Sequence, residues 1–180
     1  MAGLGGCSGC RPDKRDSAIG EKTKQKQKAG HAQRIAEAKG IRNVDFNNFT
    51  YNIEDESRNF SSGKWSASDG SGASAEVKMV TYGALMRNGR EQAVVALFGN
   101  WGGGSVASGV VQVFDYHAGR AWQTASLPGG EASITNGKLI VTSQEWDDSD
   151  PLCCPSLKVM RTYHWSDGEF ALTATNQIKK

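Results

Sequence analysis

The sequence predicts an α+β protein: a mostly antiparallel β-sheet domain over residues 43–180, preceded by a basic N-terminal helix and tether within residues 1–42. Three observations carry this. Twenty-two glycines against four prolines suit strands and turns better than a helical bundle. From Val44 onward, β-prone runs alternate with turn signals, the strongest being Asn136-Gly137 between Ile134-Thr135 and Lys138-Leu139-Ile140-Val141. Residues 23–39 instead collect Lys, Gln, Ala, Glu and Arg, which favour helix.

The segment 1–42 has ten Lys/Arg against four acids, a surplus of six, so the chain's net charge of +2 leaves the remainder at −4. Residues 8–22 are polar and irregular and read as linker. From Thr23 to Lys39 the apolar stripe is narrow (Ala29, Ala32, Ile35, Ala36, Ala38), so this helix depends on docking. Gly40 is a suitable C-cap. A basic run of this kind is attracted to an anionic membrane surface at about 1 kcal/mol per Lys/Arg, or serves as a solvated spacer. No aromatic residue interleaves with the lysines, so a single-strand stacking platform is unsupported and no nucleic-acid partner is expected.

Before it, Leu4-Gly5-Gly6-Cys7 has the form of a lipobox, with an apolar and small residues ahead of a cysteine that is lipidated; Cys7 is the candidate attachment site. The hydrophobic segment of such a signal is expected upstream of Met1. Cys7-Ser8-Gly9-Cys10 is also a C-x-x-C. Zinc ribbons use a second spaced pair, whereas the other cysteines, Cys153 and Cys154, are adjacent. No metal and no cofactor is expected.

In the body, Val44–Ile53 reads as a first strand and residues 54–75 as loop, with Trp65 its anchor into the core. Val77 to Leu97 holds two β-rich runs around a loop ending in Asn88-Gly89. The loop resembles the aspartate-rich turn of integrin-type repeats, Asp-Leu-x-Gly-Asp-Gly-x-x-Glu-Ala. Leu85, Gly89 and Ala93 fit, but Ala84 and Asn88 stand in place of the aspartates, Arg87 replaces a glycine, and Gln92 takes the Glu position. The turn survives without its carboxylates and reads as scaffold. Val94–Phe98 is continuously apolar, the mark of a strand buried on both faces.

Gly99-Asn100-Trp101-Gly102-Gly103-Gly104-Ser105 lacks the Gly-Lys-Ser/Thr and following helix of a phosphate-cradling loop. It reads as a connection, with Trp101 a candidate for a binding surface. His117-Ala118-Gly119-Arg120, Pro128-Gly129-Gly130 and Asp167-Gly168 mark further turns. Alternation from Leu157 to Trp165 marks a late strand.

The most unusual stretch is Asp147-Asp148-Ser149-Asp150-Pro151-Leu152-Cys153-Cys154-Pro155-Ser156. Its prolines exclude helix interior and central strand. Asp147, Asp148 and Asp150 are binding-surface candidates; their spacing does not fit a calcium EF-hand loop, and a solvated acidic loop is the simpler reading. Adjacent Cα atoms lie about 3.8 Å apart, below the usual disulfide separation of roughly 4.4–6.8 Å. A Cys153–Cys154 disulfide is therefore a small strained ring, and two reduced thiols packed as small hydrophobes are the alternative.

No Gly-x-Ser-x-Gly elbow or His-Glu-x-x-His is present, and His31, His117 and His164 lie in tail, turn and strand. No catalytic residue is assigned, and the chain reads as a non-enzyme.

Asp45-Phe46-Asn47-Asn48-Phe49-Thr50-Tyr51, Tyr82-Gly83 to Ala93-Val94-Val95, and above all Asp150 to Ser156 with Arg161-Thr162-Tyr163 and Trp165, resemble uncharacterised bacterial secreted proteins and lipoproteins, including the actinobacterial LppP/LprE lipoproteins. The likeness spans about residues 43–175. It implies export, often with a lipid anchor, and no reaction. The Asn48-Phe49-Thr50 and Asn59-Phe60-Ser61 glycosylation patterns are then accidental. An envelope address favours an oxidised Cys153–Cys154 pair, with an envelope protein or another cell-envelope component as partner. The rival reading is a thiol-redox or other enzyme using those cysteines.

Overall fold

The computed structural model describes residues 40–102, 107–151 and 154–179. These residues belong to the unit Ala38–Lys180 and are mostly antiparallel β-sheet. The predicted helix over 23–39 lies outside them.

The chain enters through a 3-10 turn, Ile41–Asn43, and a tight loop before strand β1, Thr50–Ile53. The predicted strand from Val44 is therefore shortened. Asp45 is the cause: its carboxylate accepts the N–H groups of Asn47 (3.0 Å) and Asn48 (3.3 Å), which bends the backbone away from an extended path. β1 pairs with β2, Glu56–Asn59, so the expected loop over 54–75 contains strands. β3 (Lys64–Ser66) follows.

Two meanders make up the rest. β4 (Ser74–Gly83), β5 (Gln92–Asn100), β6 (Ser108–His117) and β7 (Arg120–Pro128) form, with β3 at the edge, a five-stranded sheet in chain order. β8 (Glu131–Thr135), β9 (Lys138–Glu145), β10 (Leu157–Ser166) and β11 (Glu169–Lys179) form a four-stranded sheet. All pairings are antiparallel.

β5 is the centre of the packing, as its apolar run predicts. Ala93, Val95 and Leu97 face one cluster with Phe46, Tyr51, Phe60 and Phe114. Val94 and Ala96 face a second, with Val111, Val113, Leu139, Val141 and Tyr163. Alternate residues of one strand thus hold two cores, and truncating Leu97 to Ala costs about 2–5 kcal/mol. Tyr51 is fully buried, and its hydroxyl donates to Phe46 O at 2.6 Å. Burial raises its pKa out of reach of ordinary pH. Gln112, also fully buried, donates to Asn52 O at 2.7 Å and so ties β6 to β1.

The two sheets meet across glycines. Gly129 N–H bonds Gly109 O (3.0 Å) and Gly130 N–H bonds Thr142 O (3.0 Å), so this dipeptide joins β6 to β9. Gly129 has φ +147°, which favours glycine. A Cβ on Gly109 would run into the Gly130 backbone, and one on Gly83 would press on Ile134. The chain leading into β8 thus crosses β6 backbone to backbone at Gly109, and β8 lays the Ile134 side chain on Gly83 at the end of β4.

Candidate functional site

β2 alternates toward solvent except at Arg58, which is only 5 % exposed. Pairing with β1 aims this side chain inward. Trp65 lies opposite Ala75 in the β3–β4 ladder. Trp101 follows β5, and its Nε1–H donates to Ser108 O at 3.2 Å, bridging the two ends of the glycine-rich loop. The Arg58 guanidinium is 4.7 Å from the Trp65 ring centre and 5.2 Å from that of Trp101. A cation held against two indole faces gains about 2 kcal/mol or more when desolvated.

That gain does not answer the hydrogen-bonding demand. Nη2 of Arg58 donates to Glu56 Oε2 at 3.1 Å, but Glu56 is itself 72 % exposed, and a pair so placed is worth little. Among the described residues, Arg58 Nε and Nη1 are buried with no hydrogen-bond partner. Each such donor costs about 1–3 kcal/mol, on top of the several kcal/mol of burying an ion.

Arg58, Trp65 and Trp101 line an open cleft of about 350 Å³ together with Glu54, Glu56, Asp69 and Ser71. Asp69 closes a turn. Its carboxylate accepts Ser71 N–H at 2.9 Å, and bonding to Ser71 through hydroxyl and N–H lowers its pKa. The rim is thus acidic and the floor a single cation between aromatic rings.

Of the residues singled out from sequence, Trp101 lies in this cleft, while Asp147, Asp148 and Asp150 do not line it. Asp150 is used within its own loop: Oδ2 accepts the N–H groups of Asp147 and Ser156, both at 2.7 Å. Beside the loop, Arg161 donates to Ser143 Oγ at 2.9 Å and pairs with Glu145 at 2.6 Å; Arg161 and Ser143 lower the Glu145 pKa. Cys154 is disulfide-bonded, and its partner lies outside the described residues, as do Cys153 and Cys7. Among the described residues no group of three or more His, Cys, Asp or Glu is placed to hold a metal ion, and no helix is long and apolar enough to cross a membrane.

Arg58 gave no signal in the sequence, and Trp65 was legible only as a core anchor. It does pack against the first cluster, but its ring also serves the cleft. No family model, no curated protein and no solved structure matches this chain.

Proposed function

We propose that the chain is a non-catalytic, exported cell-envelope protein, a binding module whose ligand site is the Arg58 cleft. In this reading Cys7 carries a lipid, the basic segment 1–42 contributes a helix and membrane attraction, and the whole chain is α+β. The observation that carries the binding role is the buried Arg58 with two unanswered donors between Trp65 and Trp101. The lipobox form of Leu4-Gly5-Gly6-Cys7 and the resemblance around Asp150–Ser156 support the address.

The binding role is tested with a dialysable extract of the native envelope. It should shift the tryptophan emission of the wild-type protein and leave a Trp101→Ala variant unchanged; no shift in the wild type removes the reading. The address is tested by the intact mass of the unreduced protein from its native cells. A mass starting at Cys7 with acyl groups supports it. A mass starting at Met1, with thiols that alkylate at once, counts against it.

The disulfide at Cys154 favours a second reading, a thiol-redox protein using Cys153 and Cys154. Insulin reduction lost in the double Cys→Ser variant supports that rival; a folded variant and a wild type equally inactive remove it.

A further inference from the structure

We infer that the Arg58 cleft takes a neutral saccharide, whose hydroxyls bond Arg58 and the rim carboxylates while its C–H face lies on indole. The inference rests on reading the cleft as a ligand site and names the chemistry of its occupant.

Charge narrows the choice first. Glu54, Glu56 and Asp69 line the cleft against the one guanidinium of Arg58, a surplus of negative charge. A simple anion meets that surplus at close range, where like charges repel. A simple cation suits the rim but offers no acceptor to Nε–H and Nη1–H of Arg58. The occupant must bring both donors and acceptors.

The guanidinium narrows it further. Both of its bidentate edges include Nη2, so Nε and Nη1 share no fork. One carboxylate can answer one open nitrogen and leaves the other bare. Separate oxygens on one molecule answer both, and each hydroxyl is also a donor to the carboxylates. A sugar ring supplies such oxygens around its edge without net charge. Its C–H face suits the negative face of an indole. A cleft of about 350 Å³ is at the small end of ligand sites and holds one or two sugar rings.

Nε and Nη1 are shut off from water, so ligand oxygens reach them when a flanking ring swings aside. Trp101 is the ring placed to do this. Its indole, bonded to Ser108 O and packed at the margin of the first cluster, sits beyond the end of β5, whereas Trp65 stands on a paired strand. Binding is therefore read directly in tryptophan emission.

The full chain is titrated with N-acetylglucosamine and its β-1,4-linked dimer, with alanyl-alanine and inorganic phosphate as charged comparators. Emission and calorimetry are followed together. Saturable binding of a saccharide is expected, weakened at least tenfold in Trp101→Ala and in Glu54→Gln, and unchanged in Trp122→Ala, an exposed indole outside the cleft. Arg58→Lys should abolish it while circular dichroism stays native; Glu54→Gln, on an exposed turn, carries the test if that variant fails to fold. Binding of alanyl-alanine or phosphate alone overturns the saccharide and leaves the binding-module reading standing. Saccharide binding that survives both Trp101→Ala and Glu54→Gln also overturns it. A response to no probe, and none to the envelope extract, overturns both.

Discussion

Thr124 and Thr173 occupy the same place in two hairpins. Each is the extra residue of a β-bulge on the second strand, five positions after the turn glycine, Gly119 or Gly168. Each hydroxyl donates to the facing strand: Thr124 Oγ1 to Val113 O at 3.1 Å, Thr173 Oγ1 to Thr162 O at 3.0 Å. A bulge disrupts the ladder locally, and the threonine supplies a donor where regular pairing is interrupted. Thr124→Val and Thr173→Val keep shape and β-propensity and delete only that donor. Each should lose about 1 kcal/mol in urea unfolding with an unchanged slope. The Thr124 hydrogen bond is the part-buried one of the two, so its loss should cost more. Valine variants as stable as wild type would show that the hydroxyls contribute nothing.

Gly109 and Gly102 separate backbone crowding from glycine content. A methyl group at Gly109 meets the Gly130 backbone, which no rotamer change can move; at Gly102 it meets nothing within 4 Å. Gly109→Ala should cost about 3 kcal/mol or more, since the sheets must part to admit it. Gly102→Ala should be neutral within about 0.5 kcal/mol. Thermal unfolding of the two variants decides the matter, and equal midpoints would mean the crossing is looser than its geometry.

What was legible in the sequence follows from how local each feature is. Asn136-Gly137 and Asp167-Gly168 turn as read, with φ of 51° and 70°, and 53° and 91°. The β1–β2 turn carries no glycine: Glu54 and Asp55 themselves adopt φ of 52° and 64°. Nothing in an acidic pair announces that, and so β2 was missed. With β2 went Arg58, because a guanidinium's burial depends on rings at positions 65 and 101 that only the tertiary fold brings beside it. Val94–Leu97 was legible because continuous apolarity reports burial on two faces directly, while Phe98, read as part of the same buried run, is 37 % exposed. Asp150 looked like a surface carboxylate, yet its two backbone partners are three and six residues away and fold the loop around it.

Glu145 gives a pH dependence with a definite sign. Arg161 and Ser143 lower its pKa from the ordinary 4.5. A carboxyl with a depressed folded pKa contributes stability above its unfolded value, and that contribution disappears as pH falls through the folded one. Glu145→Gln should therefore be less stable than wild type at pH 6–7. The difference should shrink below pH 4.5 and vanish in stronger acid. With both side chains partly exposed, the gap at neutral pH is at most about 1 kcal/mol. Urea midpoints across this range test it; a gap that persists in acid would assign the effect to packing.

Gln92 organises the loop between β4 and β5. It is fully buried, and its Oε1 accepts Leu85 N–H (2.9 Å) and Met86 N–H (3.1 Å), which closes the loop. Its Nε2 donates to Asn88 Oδ1 (3.3 Å) and Asp115 Oδ1 (3.2 Å), and Arg90 donates to Asp115 Oδ2 at 2.6 Å. An amide donor thus serves Asp115 from inside the core. Gln92→Glu keeps the acceptor, removes the donor and sets a second carboxylate against Asp115. Burial and that neighbour both raise the introduced group's folded pKa. Its penalty is then absent below the unfolded value of about 4.3 and grows as pH rises above it. At pH 7 the variant should lose about 3 kcal/mol, the scale of an uncompensated buried charge, and at pH 4 most of this should return. Equal stability of variant and wild type at pH 7 would mean that a bound cation or rearranged Arg90 neutralises the pair, and a calcium titration of the variant would separate those two outcomes.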